Sequence, residues 1–145
     1  MTASHRGTIF LETARILAHH APAPEQWLLT LEAPACAERA EPGQFVHLQC
    51  DPALPMRRPL SLQRVNREQG WVEILYKVVG HGTRLLTQRA VGQTLSLMGP
   101  IGQPFRPDPE RPHVLLLGGG VGMPPMIFLA DRLRRETGWR PMAFL

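Results

Sequence analysis

Four prolines within residues 103–112 (Pro104, Pro107, Pro109 and Pro112) divide this chain into two stretches with different grammar. Proline fixes φ and offers no backbone donor, so such a run reads as a stiff linker. Before it, six short runs that read as strands are punctuated by Pro/Gly turns: 7–18, 27–31, 45–50, 59–65, 71–79 and 94–98. That pattern predicts a small antiparallel barrel. After it, Val114-Leu115-Leu116-Leu117 is continuously apolar, as a parallel strand covered on both faces is. A glycine loop, a helix from 124 to 137 stopped by Gly138, and a second strand from 140 complete one β-α-β unit.

The expected organisation is therefore a six-stranded barrel over 1–103, a proline-rich linker over 104–112, and the start of an α/β domain over 113–145. Two parallel strands and one helix cannot bury both faces of an open sheet, so part of the apolar strand is expected to stay uncovered and the chain to be a fragment. Within the barrel, 71–79 alternates most clearly: Val72, Ile74, Tyr76 and Val78 face one way, Glu73, Leu75 and Lys77 the other. Ala21-Pro22-Ala23-Pro24 is expected to break the first strand, Pro34 to close the second, and residues 82–90 to form a short helix.

Composition excludes some functions. The net charge of +4 comes from scattered arginines, since Lys77 is the sole lysine, and aromatics are only 6%. Nucleic-acid recognition needs a concentrated patch or interleaved stacking side chains, so no nucleic-acid partner is expected. No apolar run reaches the length of a membrane helix and the N-terminus lacks a signal-peptide core, so no membrane insertion and a cytoplasmic location are expected. Cys36 and Cys50 are too far apart for a CxxC pair, and His19-His20 would point to opposite faces of a strand, so no metal site is expected.

Two stretches carry chemistry. Arg58-Pro59-Leu60-Ser61 sets a guanidinium, a rigid proline and a hydroxyl in register. Leu75-Tyr76-Lys77 leads into Gly80-His81-Gly82-Thr83, a turn that opens a helix and leaves N–H groups free for phosphate oxygens. Each alone has a structural explanation, the second as a turn with Thr83 capping its helix. Together they suggest a clasp for one phosphate-bearing cofactor. The Gly118-Gly119-Gly120-Val121-Gly122 loop sits where α/β proteins place nucleotides, but Gly-x-Gly-x-x-Gly fails because Met123 occupies the third position. No nucleophile elbow, zincin helix, Walker loop or carboxylate pair is present, and no catalytic acid or base is expected.

This set resembles the ferredoxin–NADP reductase superfamily and, within it, the electron transfer subunits of class-B dihydroorotate dehydrogenases. Arg58-Pro59-Leu60-Ser61 resembles the flavin motif; Leu75-Tyr76-Lys77 and Gly82-Thr83 match two further FAD-contacting segments. Gly99-Pro100-Ile101-Gly102-Gln103-Pro104-Phe105 is similar to the bend between domains, and the glycine loop to the first nicotinamide-domain loop. The resemblance implies FAD held by Arg58, Pro59, Leu60, Ser61, Leu75, Tyr76, Lys77, Gly82 and Thr83, and NAD(H) met by Gly119, Gly120 and Gly122. It implies that Arg58 pairs with the pyrophosphate, that Gly82 and Thr83 supply backbone and hydroxyl donors to it, and that Leu60 replaces a tyrosine set against the flavin in many relatives. It further implies electron relay through a [2Fe-2S] cluster to an FMN-containing dihydroorotate dehydrogenase catalytic subunit, in a hetero-oligomer serving pyrimidine biosynthesis. The cluster's four cysteines lie near the C-terminus in that family, and neither Cys36 nor Cys50 corresponds to them. Rival readings are another ferredoxin- or hydrogenase-linked reductase subunit, or a barrel that binds without flavin.

Overall fold

The computed structural model describes residues 7–145. Six antiparallel strands close into a barrel in the order β1-β2-β5-β4-β3-β6. They are β1 (Phe10–Ala23), β2 (Gln26–Glu32), β3 (Phe45–Gln49), β4 (Arg58–Asn66), β5 (Trp71–Lys77) and β6 (Thr94–Ile101). Two short helices belong to the same unit, α1 (Pro34–Arg39) and α2 (His81–Leu86). Beyond the irregular stretch 102–112, β7 (His113–Leu117) and β8 (Arg140–Phe144) pair in parallel, joined by α3 (Met123–Arg135).

The barrel closes because alternate residues of every strand turn inward. Leu29, Leu31, Val46, Leu48, Leu62 and Leu97 are fully buried, and on β5 the inward set is Val72, Ile74 and Tyr76, as the alternation predicts. At roughly 25 cal/mol per Å2 of apolar surface removed from water, this cluster is the main source of stability.

Several boundaries differ from expectation for identifiable reasons. β1 runs through Pro22 to Ala23, because β6 pairs only with Phe10 to Arg15 and leaves that edge of β1 without a partner strand. Proline is tolerated on such an edge. The chain then reverses at Pro24-Glu25, with Glu25 at φ 58°. Pro34 starts α1 rather than merely closing β2. No local side chain caps α1; instead the Glu12 carboxylate of β1 accepts the N–H groups of Ala35 (3.0 Å) and Cys36 (2.8 Å). α2 begins at His81 and ends at Leu86, four residues short of the expected end. β6 continues through Gly99 and Pro100 to Ile101 instead of stopping in a turn. α3 ends at Arg135, before Gly138, which takes φ 97°.

Residues 102–112 do not act as a free spacer. Phe105 donates its N–H to the Pro42 carbonyl at 2.8 Å, and its ring lies where a Cβ on Gly43 would meet it at 3.0 Å. Arg106 pairs with Glu41. The β7-α3-β8 unit is docked too: Phe128 packs into the barrel core, Arg64 bonds Asp131 at 2.8 Å, and Arg132 bonds Glu41 at 3.1 Å. One face of the β7-β8 sheet remains bare, with Leu115, Leu117, Met142 and Phe144 each 59–66% exposed.

Candidate functional site

The barrel's hydrogen-bonded ladder opens at one place. β4 pairs with β3 from Leu48↔Arg58 to Phe45↔Ser61, and β5 pairs with β2 over its whole length. Yet β4 and β5 pair with each other only from Leu62↔Ile74 to Asn66↔Trp71. Residues 58–61 and 75–77 therefore have no partner across this seam, and backbone groups that a sheet would satisfy stay available there. Every residue matched to the FAD motifs on β4 and β5 borders the seam.

Alternation sorts these residues by face. Pro59 is exposed and Ser61 half-buried on the outer side of β4, with Leu75 and Lys77 on the outer side of β5. Leu60 packs against the core, and Tyr76 is buried within it. Contacts from Tyr76 to an external ligand are thus limited to its main chain, while Leu60 is half-buried beside the seam.

Arg58 and Gly82 meet at the end of the seam. A Cβ on Gly82 would lie 2.9 Å from Arg58 Nε, so only glycine lets the arginine lie across α2. Among the described residues the Arg58 guanidinium makes two long bonds, from Nη1 to the carbonyls of Met56 (3.3 Å) and Arg57 (3.5 Å), and has no carboxylate partner. Arg15, Arg64, Arg89, Arg106 and Arg132 all have carboxylate partners. An unpaired fork of donors at the mouth of an open seam is suited to phosphate oxygens. The same charge reaches the Cys50 thiol and favours its ionisation, though burial outweighs it and pushes that thiol up.

Thr83 caps α2 from within its first turn: it stands at the third position of the helix, is buried, and its side chain accepts the N–H of the cap residue Gly80. Its Oγ1 accepts the N–H groups of Val79 (3.1 Å) and Gly80 (3.2 Å) and donates to the Gly80 carbonyl at 3.2 Å. The hydroxyl is committed to closing its own turn. The first-turn N–H groups of His81, Gly82 and Thr83 have no intrahelical acceptor and are the donors this turn offers.

The glycine loop after β7 is built on Gly118, which stands outside the set expected to meet NAD(H). A Cβ there would lie 3.1 Å from the Gly122 carbonyl, and its N–H bonds Phe144 O at 3.0 Å, tying loop to β8. Gly119, Gly120 and Gly122 have nothing within 4 Å of a built Cβ; 120–122 forms one 3-10 turn, with Gly120 at φ 56°. Bare backbone is what close approach by a ligand requires. The turn lies beside β5, the strand that carries Leu75 and Lys77.

Sequence reasoning missed His19, Arg89 and Asp51. Their bonds tie the candidate segments from behind: His19 contacts the Tyr76 hydroxyl and the Arg89 carbonyl, and Arg89 pairs with Asp51 in the loop before β4. A cleft of about 740 Å3 lies elsewhere, between the barrel and α3. Its Arg64 and Arg132 are paired with carboxylates, and none of the residues matched to the FAD motifs lines it. Cys36 and Cys50 are buried and unlinked, with burial pushing the Cys36 thiol up to about 12. Among the described residues no three His, Cys, Asp or Glu side chains are grouped to hold a metal.

No family model matches the chain. A solved NADH-dependent reduced ferredoxin–NADP oxidoreductase superposes with a TM-score of 0.82 at 28% identity, over 91% of this chain and 47% of that one. The ferredoxin reductase of a carbazole 1,9a-dioxygenase gives 0.81 at 27% identity, over 94% and 42%. Barrel, seam and appended β-α-β unit thus make this a ferredoxin reductase-like protein. Among curated sequences, the dihydroorotate dehydrogenase B (NAD(+)) electron transfer subunit of Desulforamulus reducens is 39% identical over 124 residues, covering 83% of this chain and 47% of the relative. That of Geobacillus thermodenitrificans is 40% identical over 128 residues, covering 84% and 49%. The chain belongs to this family of electron transfer subunits, and spans about half the length of the relatives it matches.

Proposed function

We propose that the β4-β5 seam binds FAD and that the chain is the flavin-bearing part of an NAD(H)-linked electron transfer subunit. The observation that carries this is the Arg58 guanidinium, without a carboxylate partner among the described residues, lying across Gly82 at the end of an unpaired stretch of barrel wall. Arg58 would donate to two pyrophosphate oxygens, with the first-turn N–H groups of α2 completing the contact. Pro59 and Ser61 on one lip and Leu75 and Lys77 on the other would hold the ring system by backbone and hydroxyl bonds. Thr83 would keep the turn closed, and Leu60 and Tyr76 would anchor the lips to the core.

Bound FAD supplies exchange of a hydride with a nicotinamide and of single electrons with an iron–sulfur centre. The chain's own residues bind and orient, and none is required as a proton donor. Gly119, Gly120 and Gly122 would meet the NAD(H) phosphates. In the whole protein, a [2Fe-2S] cluster carried outside these residues and an FMN-containing dihydroorotate dehydrogenase catalytic subunit would complete a path serving pyrimidine biosynthesis. A cytoplasmic location belongs to the same proposal; no helix among the described residues is long and apolar enough to cross a membrane.

Reconstitution tests the reading. Protein mixed with FAD and desalted is expected to stay yellow, and Arg58→Ala to lose the colour. Colourless protein that refuses FAD yet binds an oligonucleotide in a salt-sensitive manner would overturn it.

A further inference from the structure

His19 lies on β1, where alternation from Ala14 and Ile16 would turn it outward. The register shifts between Ile16↔Leu31 and Ala18↔Thr30, so Leu17 is an extra residue and the parity reverses. His19 then faces the same way as its partner Leu29, which is fully buried. Bulges of this kind re-aim a side chain. The ring sits 4.8 Å from Trp27, centroid to centroid. Its Nδ1 is 2.8 Å from the Arg89 carbonyl oxygen and its Nε2 is 2.9 Å from the Tyr76 hydroxyl. A carbonyl only accepts, so Nδ1 carries the proton and, in the neutral ring, Nε2 accepts from Tyr76 O–H.

Those two partners are the two ends of segment 76–89, which carries Lys77, Gly82 and Thr83. The Arg89 N–H bonds the Leu86 carbonyl at 3.0 Å, so Arg89 continues the last turn of α2. Its guanidinium pairs with Asp51, ahead of the strand that carries Arg58. One imidazole thus clamps both ends of one lip of the seam, and Arg89 ties that lip to the other.

We propose that His19 is a positioning residue for the cofactor: by bonding Tyr76 and Arg89 at once, its neutral ring holds Gly82 where Arg58 can lie across it. The proposal rests on the seam being the FAD site. Protonation would reverse the second bond: Nε2–H would donate to the Tyr76 oxygen, and the hydroxyl hydrogen, turned away inside the buried site, would lose its acceptor. Burial already opposes that protonation; the Arg89 carbonyl favours it, and His20 adds to the opposition. The other groups around the ring are Tyr76, which burial keeps protonated, and the Arg89–Asp51 pair. The buried hydroxyl hydrogen left without an acceptor strains that end of the clamp, so FAD binding is expected to weaken as pH falls below the ordinary histidine range, with the unstrained clamp present above it.

The test is FAD titration of the full protein, followed by quenching of flavin fluorescence, from about pH 8 to about pH 5. His19→Phe keeps a ring but loses both bonds, and its dissociation constant is expected to rise about tenfold at the upper pH, with a flat profile below. His19→Asn carries an amide N–H close to the place of Nδ1, so it keeps the Arg89 bond and is expected to recover about half of that loss, again without pH dependence. His19→Phe that binds as tightly as the unaltered protein, with the same pH profile, would overturn the proposal while leaving the seam as the FAD site. If His19→Phe fails to fold, the Asn variant decides, and an unchanged pH profile there overturns it. Unaltered protein that takes no FAD would end both readings together.

Discussion

Two glycine-bearing turns, 80–83 and 118–122, differ in what stands beside them. Gly82 is pressed by a guanidinium whose Nε would lie 2.9 Å from an added Cβ, whereas Gly119, Gly120 and Gly122 face open space. In the first turn the absence of a side chain is a packing requirement set by Arg58. In the second it leaves bare backbone pointing outward. The difference extends to the units that carry them. The barrel seals its apolar side chains into one cluster, while the β7-β8 sheet buries Leu116 under α3 and leaves Leu115 and Leu117 bare. The FAD candidate is thus assembled from contacts present within the chain, and the nicotinamide candidate rests on one loop.

That contrast can be broken first through stability. Leu29→Ala empties a fully buried position of the barrel and is expected to cost about 3 kcal/mol in denaturant unfolding. Leu133→Ala, in the small cluster under α3, is expected to cost about 2 kcal/mol. Equal costs would show that the second unit is as firmly built as the first. Next in size is Arg58→Ala, expected to weaken FAD binding about a hundredfold, or about 3 kcal/mol, with an unchanged melting temperature. Gly82→Ala sharpens the comparison: the displaced atom belongs to a flexible side chain, so the fold tolerates it while FAD affinity falls about tenfold. Gly119→Ala is expected to leave FAD affinity alone.

Smaller effects concern the ties between parts. Glu12→Gln removes the carboxylate from the start of α1 and is expected to cost about 1 kcal/mol, read by thermal melts. The Arg106 bond, aided by Arg132, holds the Glu41 carboxyl below its ordinary 4.5. A group depressed on folding stabilises above its unfolded value and loses that contribution as pH falls through the folded one. Acid melts should therefore show a loss below about pH 4.5 that Glu41→Gln removes.

The strands were legible where alternation was clean, as in 71–77, and where Pro/Gly turns bracketed them. The chemistry-bearing residues were legible as motif types, because an arginine before a proline and a Gly-x-Gly-Thr turn have few other uses in combination. What joins them was not. The seam exists because β4 and β5 stop pairing at Leu62↔Ile74, and the register between two strands is written in neither alone. α1 escaped because Glu12, far away in sequence, caps it. His19 escaped because the single extra residue Leu17 reverses which histidine points inward. Thr83 was legible as the residue that caps α2; that its hydroxyl does so from the third position, closing its own turn, was not.

Amide hydrogen exchange with and without FAD tests the seam most directly. FAD is expected to slow exchange in peptides covering 58–63 and 75–86, and to leave 118–122 unchanged. Protection confined to 118–122, or to residues 64–71 and 128–136 around the cleft beside α3, would contradict a flavin site between β4 and β5.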